Sequence, residues 1–176
     1  MIIKGKTKDL LEDSTTNALL AVEIYNKPKL DGRIKSYIVH MIIAWTKAFH
    51  AYFYKSGIKY FYKDSSGRYE KIDDEKKAWD ITTCIKKYAN LSAGEKGNLG
   101  FFIKLRNKIE HTYLSCTDLD IKIFGECQSL LYNYENFIIN IFGSEYSINT
   151  SLPFSLQFSA LRNDKSYNLS KKLLSK

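Results

Sequence analysis

The run RIKSYIVHMIIAWTKAFHAYFYK, residues 33–55, constrains this chain more than any other feature. Ile38, Ile42, Trp45, Phe49 and Phe53 recur in it at three- and four-residue intervals, which lines five large apolar side chains along one face of an α-helix. Few polar positions interrupt the remaining faces, so the helix is expected at the centre of the fold with other elements around it.

Those elements are legible by the same periodicity. Residues 9–26 place Leu10, Leu11, Ala18, Leu19, Val22 and Tyr25 at helical spacing, and Pro28 and Gly32 end that helix. DEKKAWDITTCIKKY, Asp74 to Tyr88, starts acidic and ends in lysines, the order that a helix dipole favours, and predicts a third helix. NLSAGEKGNLG, residues 90–100, reads as a Gly-rich link. A fourth helix follows from about Leu99 to Leu114, and a fifth from about Leu119 to Phe142 with Gly143 as its stop.

Two segments break the helical pattern. IKYFYKDSSGRYEKI, residues 58–72, flanks a DSSG turn signal with aromatic residues and reads as a short β-hairpin between helices. SINTSLPFSLQFSAL, from Ser147, alternates like a strand until Pro153 breaks it, and RNDKSYNLSKKLLSK reads as a basic tail that frays. The expected fold is therefore all-α in the main: a four- to five-helix bundle with a β-hairpin insertion and a strand-like C-terminal segment. At 176 residues, 44% of them hydrophobic, one domain over 1–176 is the default, with its helical core over about 9–143 and the strand-like segment and tail over 144–176.

The formal net charge of +8 suits a polyanionic partner and equally suits a surface kept soluble by lysines. Cys84, Cys116 and Cys127 are odd in number and form no C-x-x-C pair, which reads as reduced thiols of a cytoplasmic protein. Neither a signal peptide nor a membrane span is expected, since no run of eighteen apolar residues occurs.

Chemistry concentrates on the fourth helix, in LRNKIEHTYL, residues 105–114. At ~100° per residue, Arg106 falls within the arc of Leu99, Phe102, Ile103, Ile109 and Tyr113. Glu110, Asn107 and His111 follow it round the same wheel over roughly 140°. One reading is a local salt bridge from Arg106 to Glu110 that fixes helix packing, with His111 an incidental surface residue. The other is a phosphate-handling site, because arginine offers a fixed fork of donors to phosphate oxygens and histidine can move a proton near neutral pH.

RNKIEH, Arg106 to His111, matches the R-x-x-x-x-H signature of the HEPN superfamily (higher eukaryotes and prokaryotes nucleotide-binding), including the polar residue after the arginine, here Asn107. AVEIYNKP, Ala21 to Pro28, and MIIAWTKAFHAYF, Met41 to Phe53, resemble a bacterial HEPN family sharing this YN-x-P and AW pattern, over roughly residues 8–160. The resemblance implies a helical bundle that pairs as a homodimer, bringing two R-x-x-x-x-H motifs into one cleft. It further implies a metal-independent endoribonuclease of a bacterial toxin or antiviral defence system. Carried over by residue, Arg106 stabilises charge on the scissile phosphate, His111 acts as general acid or base, and Asn107 orients the site.

Tyr113 completes R-x-x-x-x-H-x-Y. In HEPN toxins paired with a small nucleotidyltransferase the tyrosine at this place is adenylylated, so the resemblance adds an antitoxin or nucleotidyltransferase to RNA as a partner. The helical wheel instead places Tyr113 on the apolar side, as a core or dimer-face tyrosine with its hydroxyl at the rim. No cofactor is implied and no metal: His40, His50 and His111 lie on two helices, and no zinc-type spacing occurs. The alternative within the resemblance is a non-catalytic HEPN module that binds RNA or a protein.

Weaker candidates remain. His50 among aromatic residues reads as a packed, hydrogen-bonded histidine or as one lining a cleft. Tyr52, Tyr54, Tyr60, Phe61 and Tyr62 beside Lys55, Lys59 and Lys63 read as the hairpin's own packing or as base-stacking surface. Lys171, Lys172 and Lys176 read as a solvated tail or as an aid to RNA adhesion.

Overall fold

A computed structural model describes residues 3–27, 32–111 and 123–151, without the side chains of His111, Thr150 and Ser151. Five helices form the frame of the described residues: α1 (Lys6–Asn26), α2 (Arg33–Lys55), α3 (Ile81–Lys87), α4 (Ala93–His111) and α5 (Phe124–Phe142). A two-stranded antiparallel sheet, β1 (Lys71–Ile72) and β2 (Glu75–Lys76), lies between α2 and α3. The all-α bundle with a small hairpin is the architecture observed.

Helix α2 is central, as its pattern requires. Twelve of its residues are buried, among them Ile38, Ile42, Trp45, Phe49 and Phe53. Contacts along α1 run in the opposite sense to α2: Asp13 pairs with Lys47 at 2.8 Å, Ser14 meets Ala44, and Asn17 meets His40. The two helices are thus antiparallel. Along α5 the indices rise together, from the Tyr37 hydroxyl on the Cys127 carbonyl to Trp45 beside Tyr134 and Lys55 on the Ile141 carbonyl, so α5 runs parallel to α2.

The three helices meet around Trp45, whose ring packs against Phe49, Tyr134 and Phe137 with centroids 5.3–5.7 Å apart. The buried hydroxyls within this core are hydrogen-bonded. The Ser14 hydroxyl lies 2.6 Å from the Ala44 carbonyl and 2.7 Å from the Tyr134 hydroxyl. A carbonyl can only accept, so Ser14 spends its single proton there and Tyr134 donates to Ser14.

Three stretches differ from the sequence expectation. Helix α3 begins at Ile81, where the Asp80 carboxylate accepts from the Thr83 backbone N–H at 2.7 Å, and not at Asp74. Asp73 and Asp74 have φ of 47° and 64°, the positive values that a type I′ two-residue hairpin loop needs, and Ile72 pairs with Glu75 across them. The acidic start read as a helix terminus is therefore a turn.

Helix α4 begins at Ala93, inside the expected Gly-rich link. Ser92 and Glu95 form a reciprocal capping box: Glu95 accepts from the Ser92 backbone N–H at 2.7 Å, and the Ser92 hydroxyl oxygen accepts from the Glu95 N–H at 3.2 Å. That cap starts the helix despite Gly94, Gly97 and Gly100.

At the other end of the bundle, the described part of the strand-like segment is a 3-10 turn over Ile148–Ser151. The buried Glu135 carboxylate draws the chain into it, accepting from Ser147, from the Ile148 backbone N–H and from the Asn149 side chain. Residues 152–176, with Lys171, Lys172 and Lys176, lie outside the described residues. Gly143 does stop α5, with φ of 109°. None of the described helices is long and apolar enough to cross a membrane.

Candidate functional site

Helix α4 anchors itself through Leu99 and Phe102, both buried, with Ile103, Leu105 and Ile109 packed at the margin of the core. Arg106 shares that arc. Its side chain is 31% exposed, and Nη1 donates to both Glu110 oxygens, at 3.1 and 3.2 Å. Nε is buried and has no hydrogen-bond partner among the described residues. The guanidinium is therefore held in one orientation by Glu110 while a second, desolvated donor goes unused.

An unpaired buried donor forfeits its bonds to water, a cost of ~1–3 kcal/mol that a packing ion pair would be expected to avoid. Among the described residues Arg106 is thus half matched: Nη1 is occupied by a carboxylate, and Nε is buried without an acceptor. Glu110 is 42% exposed and Asn107 is exposed on the next face of the helix. His111 is the last residue of α4, and Tyr113 and Cys116 lie outside the described residues. The structure thus brings Arg106 and Glu110 together and sets Asn107 and His111 on the same terminal turns.

The other sequence candidates resolve mostly into packing. His50 is buried, donates from Nε2 to the Trp79 carbonyl at 2.7 Å, and stacks on Tyr60 at 4.5 Å. Burial pulls its pKa below the ordinary histidine value. His40 lies 3.2 Å from the Asn17 side chain. Tyr60 is buried, Tyr52 packs edge-on to Tyr88 at 4.8 Å, and Lys55 donates to the Ile141 carbonyl at 2.6 Å. Tyr54 is exposed with Lys6 above its ring. Cys84 and Cys127 are buried free thiols, and desolvation pushes the Cys84 thiol up to about 12. Among the described residues no group of three His, Cys, Asp or Glu side chains is placed to hold a metal ion.

One concavity escaped the sequence reading. A cleft of about 440 Å³ opens between the first half of α4 and α5, lined by Gly97, Asn98, Phe101, Glu126, Tyr132 and Asn133 among others. Asn98 donates across its floor to the Glu126 carboxylate at 3.2 Å. The space beside Gly97 is open, since a Cβ there would meet nothing within 4 Å. The signal was present as glycines three residues apart, and it was hidden because the same glycines resemble a linker.

A family model described as a domain of unknown function, DUF3644, matches residues 9–175. No curated protein and no solved structure matches the chain.

Proposed function

We propose that this chain, which belongs to the DUF3644 family, is a HEPN-type endoribonuclease of a bacterial toxin or antiviral defence system, working in the cytoplasm as a homodimer. The observation that carries the reading is Arg106: a half-buried guanidinium oriented by Glu110, with its Nε desolvated and unpartnered among the described residues, five positions before His111 on the same helix.

The reaction is attack of a ribose 2′-hydroxyl on the adjacent phosphorus. A 2′-oxygen to phosphorus bond forms, the bond to the 5′-oxygen breaks, and the products are a 2′,3′-cyclic phosphate and a free 5′-hydroxyl. One proton leaves the attacking hydroxyl and another reaches the departing oxygen, which is the work of His111 as general base or acid. When two motifs meet in a dimer, the two copies of His111 divide those roles. Arg106 donates to the non-bridging oxygens, where negative charge accumulates in the transition state. Asn107, exposed on the next face, orients the phosphate. An antitoxin or nucleotidyltransferase acting on Tyr113 would restrain such an enzyme.

Labelled RNA incubated in EDTA with wild type and His111→Ala tests this. A positioned acid or base contributes ~10² to 10⁴, so the variant should cut at least about a hundredfold more slowly while keeping the wild-type melting curve. Cut ends carrying a 2′,3′-cyclic phosphate identify the reaction. Cleavage by His111→Ala at the wild-type rate sinks the proposal. Retention of RNA without cut products assigns the chain to the non-catalytic binding modules instead.

A further inference from the structure

The excursion between α2 and α3 has a polarity that its composition conceals. Residues 58–80 hold six Lys or Arg and six Asp or Glu, a net charge of zero. Three extended runs meet there: Phe61 is bridged to Ala78, Lys63 to Tyr69, and Lys71 pairs with Lys76. Directly opposed residues share a face of a pleated ladder, so the register gathers Phe61, Lys63, Tyr69, Lys71 and Lys76 on one side.

Side-chain contacts agree. The Lys76 ammonium lies 4.5 Å from the Tyr69 ring centroid and 5.8 Å from that of Phe61, and Lys63 lies 5.4 Å from Tyr69. Phe61 and Tyr69 are themselves edge to face at 5.9 Å. The carboxylates go elsewhere. Glu70 is bound to Lys77 at 2.9 Å, and Asp64 caps the DSSG turn through the backbone N–H groups of Ser66 and Arg68. Asp74 reaches only Lys71, at 3.9 Å and fully exposed, while Lys63 and Lys76 form no ion pair among the described residues.

From this juxtaposition we infer that the Phe61–Tyr69 face, with Lys63, Lys71 and Lys76 around it, binds single-stranded RNA, the phosphates on the ammonium groups and a base on the Tyr69 ring. The inference rests on the reading of RNA as the partner, though not on its cleavage. Charge complementarity selects a polyanion, and half-buried aromatic rings select one whose bases are free to stack. The ammonium that now covers Tyr69 loses little by moving to a phosphate, because no carboxylate holds it. A base can then take its place on the ring. The face is formed by strands apart from α4, so it acts as an anchoring surface and holds substrate without touching the reacting atoms.

The test uses the full chain and a fluorescein-labelled 2′-O-methyl oligouridylate, which has no 2′-hydroxyl to attack, with anisotropy read across a salt series. The double variant Lys63→Gln/Lys76→Gln should bind about tenfold more weakly and lower the slope of log affinity against log salt by about 1.4, two contacts at ~0.7 each for single strands. Tyr69→Leu should weaken binding about fivefold or more with the slope unchanged, because stacking releases no counterions. A control pair at the two ends of α1, Lys8→Gln/Lys27→Gln, should bind as wild type.

Wild-type binding by the Lys63/Lys76 variant, an equal loss in the α1 control, or no binding by wild type overturns the inference. So does a Lys63/Lys76 variant that loses phosphatidylserine vesicles while keeping the oligonucleotide, since the face is then a membrane contact. The two readings fail separately. Loss of oligonucleotide binding in a protein whose wild type cuts nothing keeps this face and removes the nuclease, whereas wild-type binding and cutting by the lysine variant does the reverse.

Discussion

The junction of α1, α2 and α5 and the last turns of α4 are built from similar residue types and treat their polar atoms in opposite ways. Around Trp45 the hydroxyls are in use: Ser14 bridges the Ala44 carbonyl and the Tyr134 hydroxyl, and Tyr37 donates to the Cys127 carbonyl at 2.7 Å. The exception is the Trp45 indole N–H, which has no hydrogen-bond partner among the described residues and sits among the rings of Phe49, Tyr134 and Phe137. On α4, Arg106 bonds through one nitrogen and leaves another buried and without a partner among the described residues. The hydroxyls that serve packing are matched within the chain, whereas the guanidinium at the rim is only half matched among the described residues.

Substitutions should pull these regions apart. The largest effect is expected for Trp45→Ala, which removes a fully buried indole and leaves its cavity at the meeting of three helices; urea unfolding should show a loss of about 3–5 kcal/mol. Ser14→Ala is next. It strips the Tyr134 hydroxyl of its acceptor inside the core, and the same measurement should give about 1–3 kcal/mol.

Arg106→Met should have the smallest effect on stability. The Arg106–Glu110 pair is part-exposed, so its loss should cost no more than about 1 kcal/mol, offset by removal of a buried idle donor. The same variant should lose RNA cleavage almost completely. If Arg106→Met instead unfolds the protein as Trp45→Ala does, Arg106 belongs to the packing and the contrast between the regions collapses.

Much of the frame was legible before the fold. The α2 periodicity named its buried face residue by residue, and the end of α1 and the stop of α5 at Gly143 followed from their breakers. The pairing of Arg106 with Glu110 followed from a spacing of four. Where the reading slipped, the competing signal was local: an acidic pair before lysines imitates a helix start, and three glycines imitate a linker although Ser92 and Glu95 cap a helix through them.

The sequence by itself determined what depends on neighbours within one or two turns, because helical period, capping and the i,i+4 pair are all short-range geometry. Only the tertiary structure decided what depends on which distant residues meet. Asp73 and Asp74 became a turn because Lys71 and Ile72 found partners in Lys76 and Glu75. Lys63 and Lys76 gathered over Tyr69 by cross-strand register, which a net charge of zero along the same residues conceals. The Nε of Arg106 is buried, and burial is a property of the assembled chain that no sequence spacing carries.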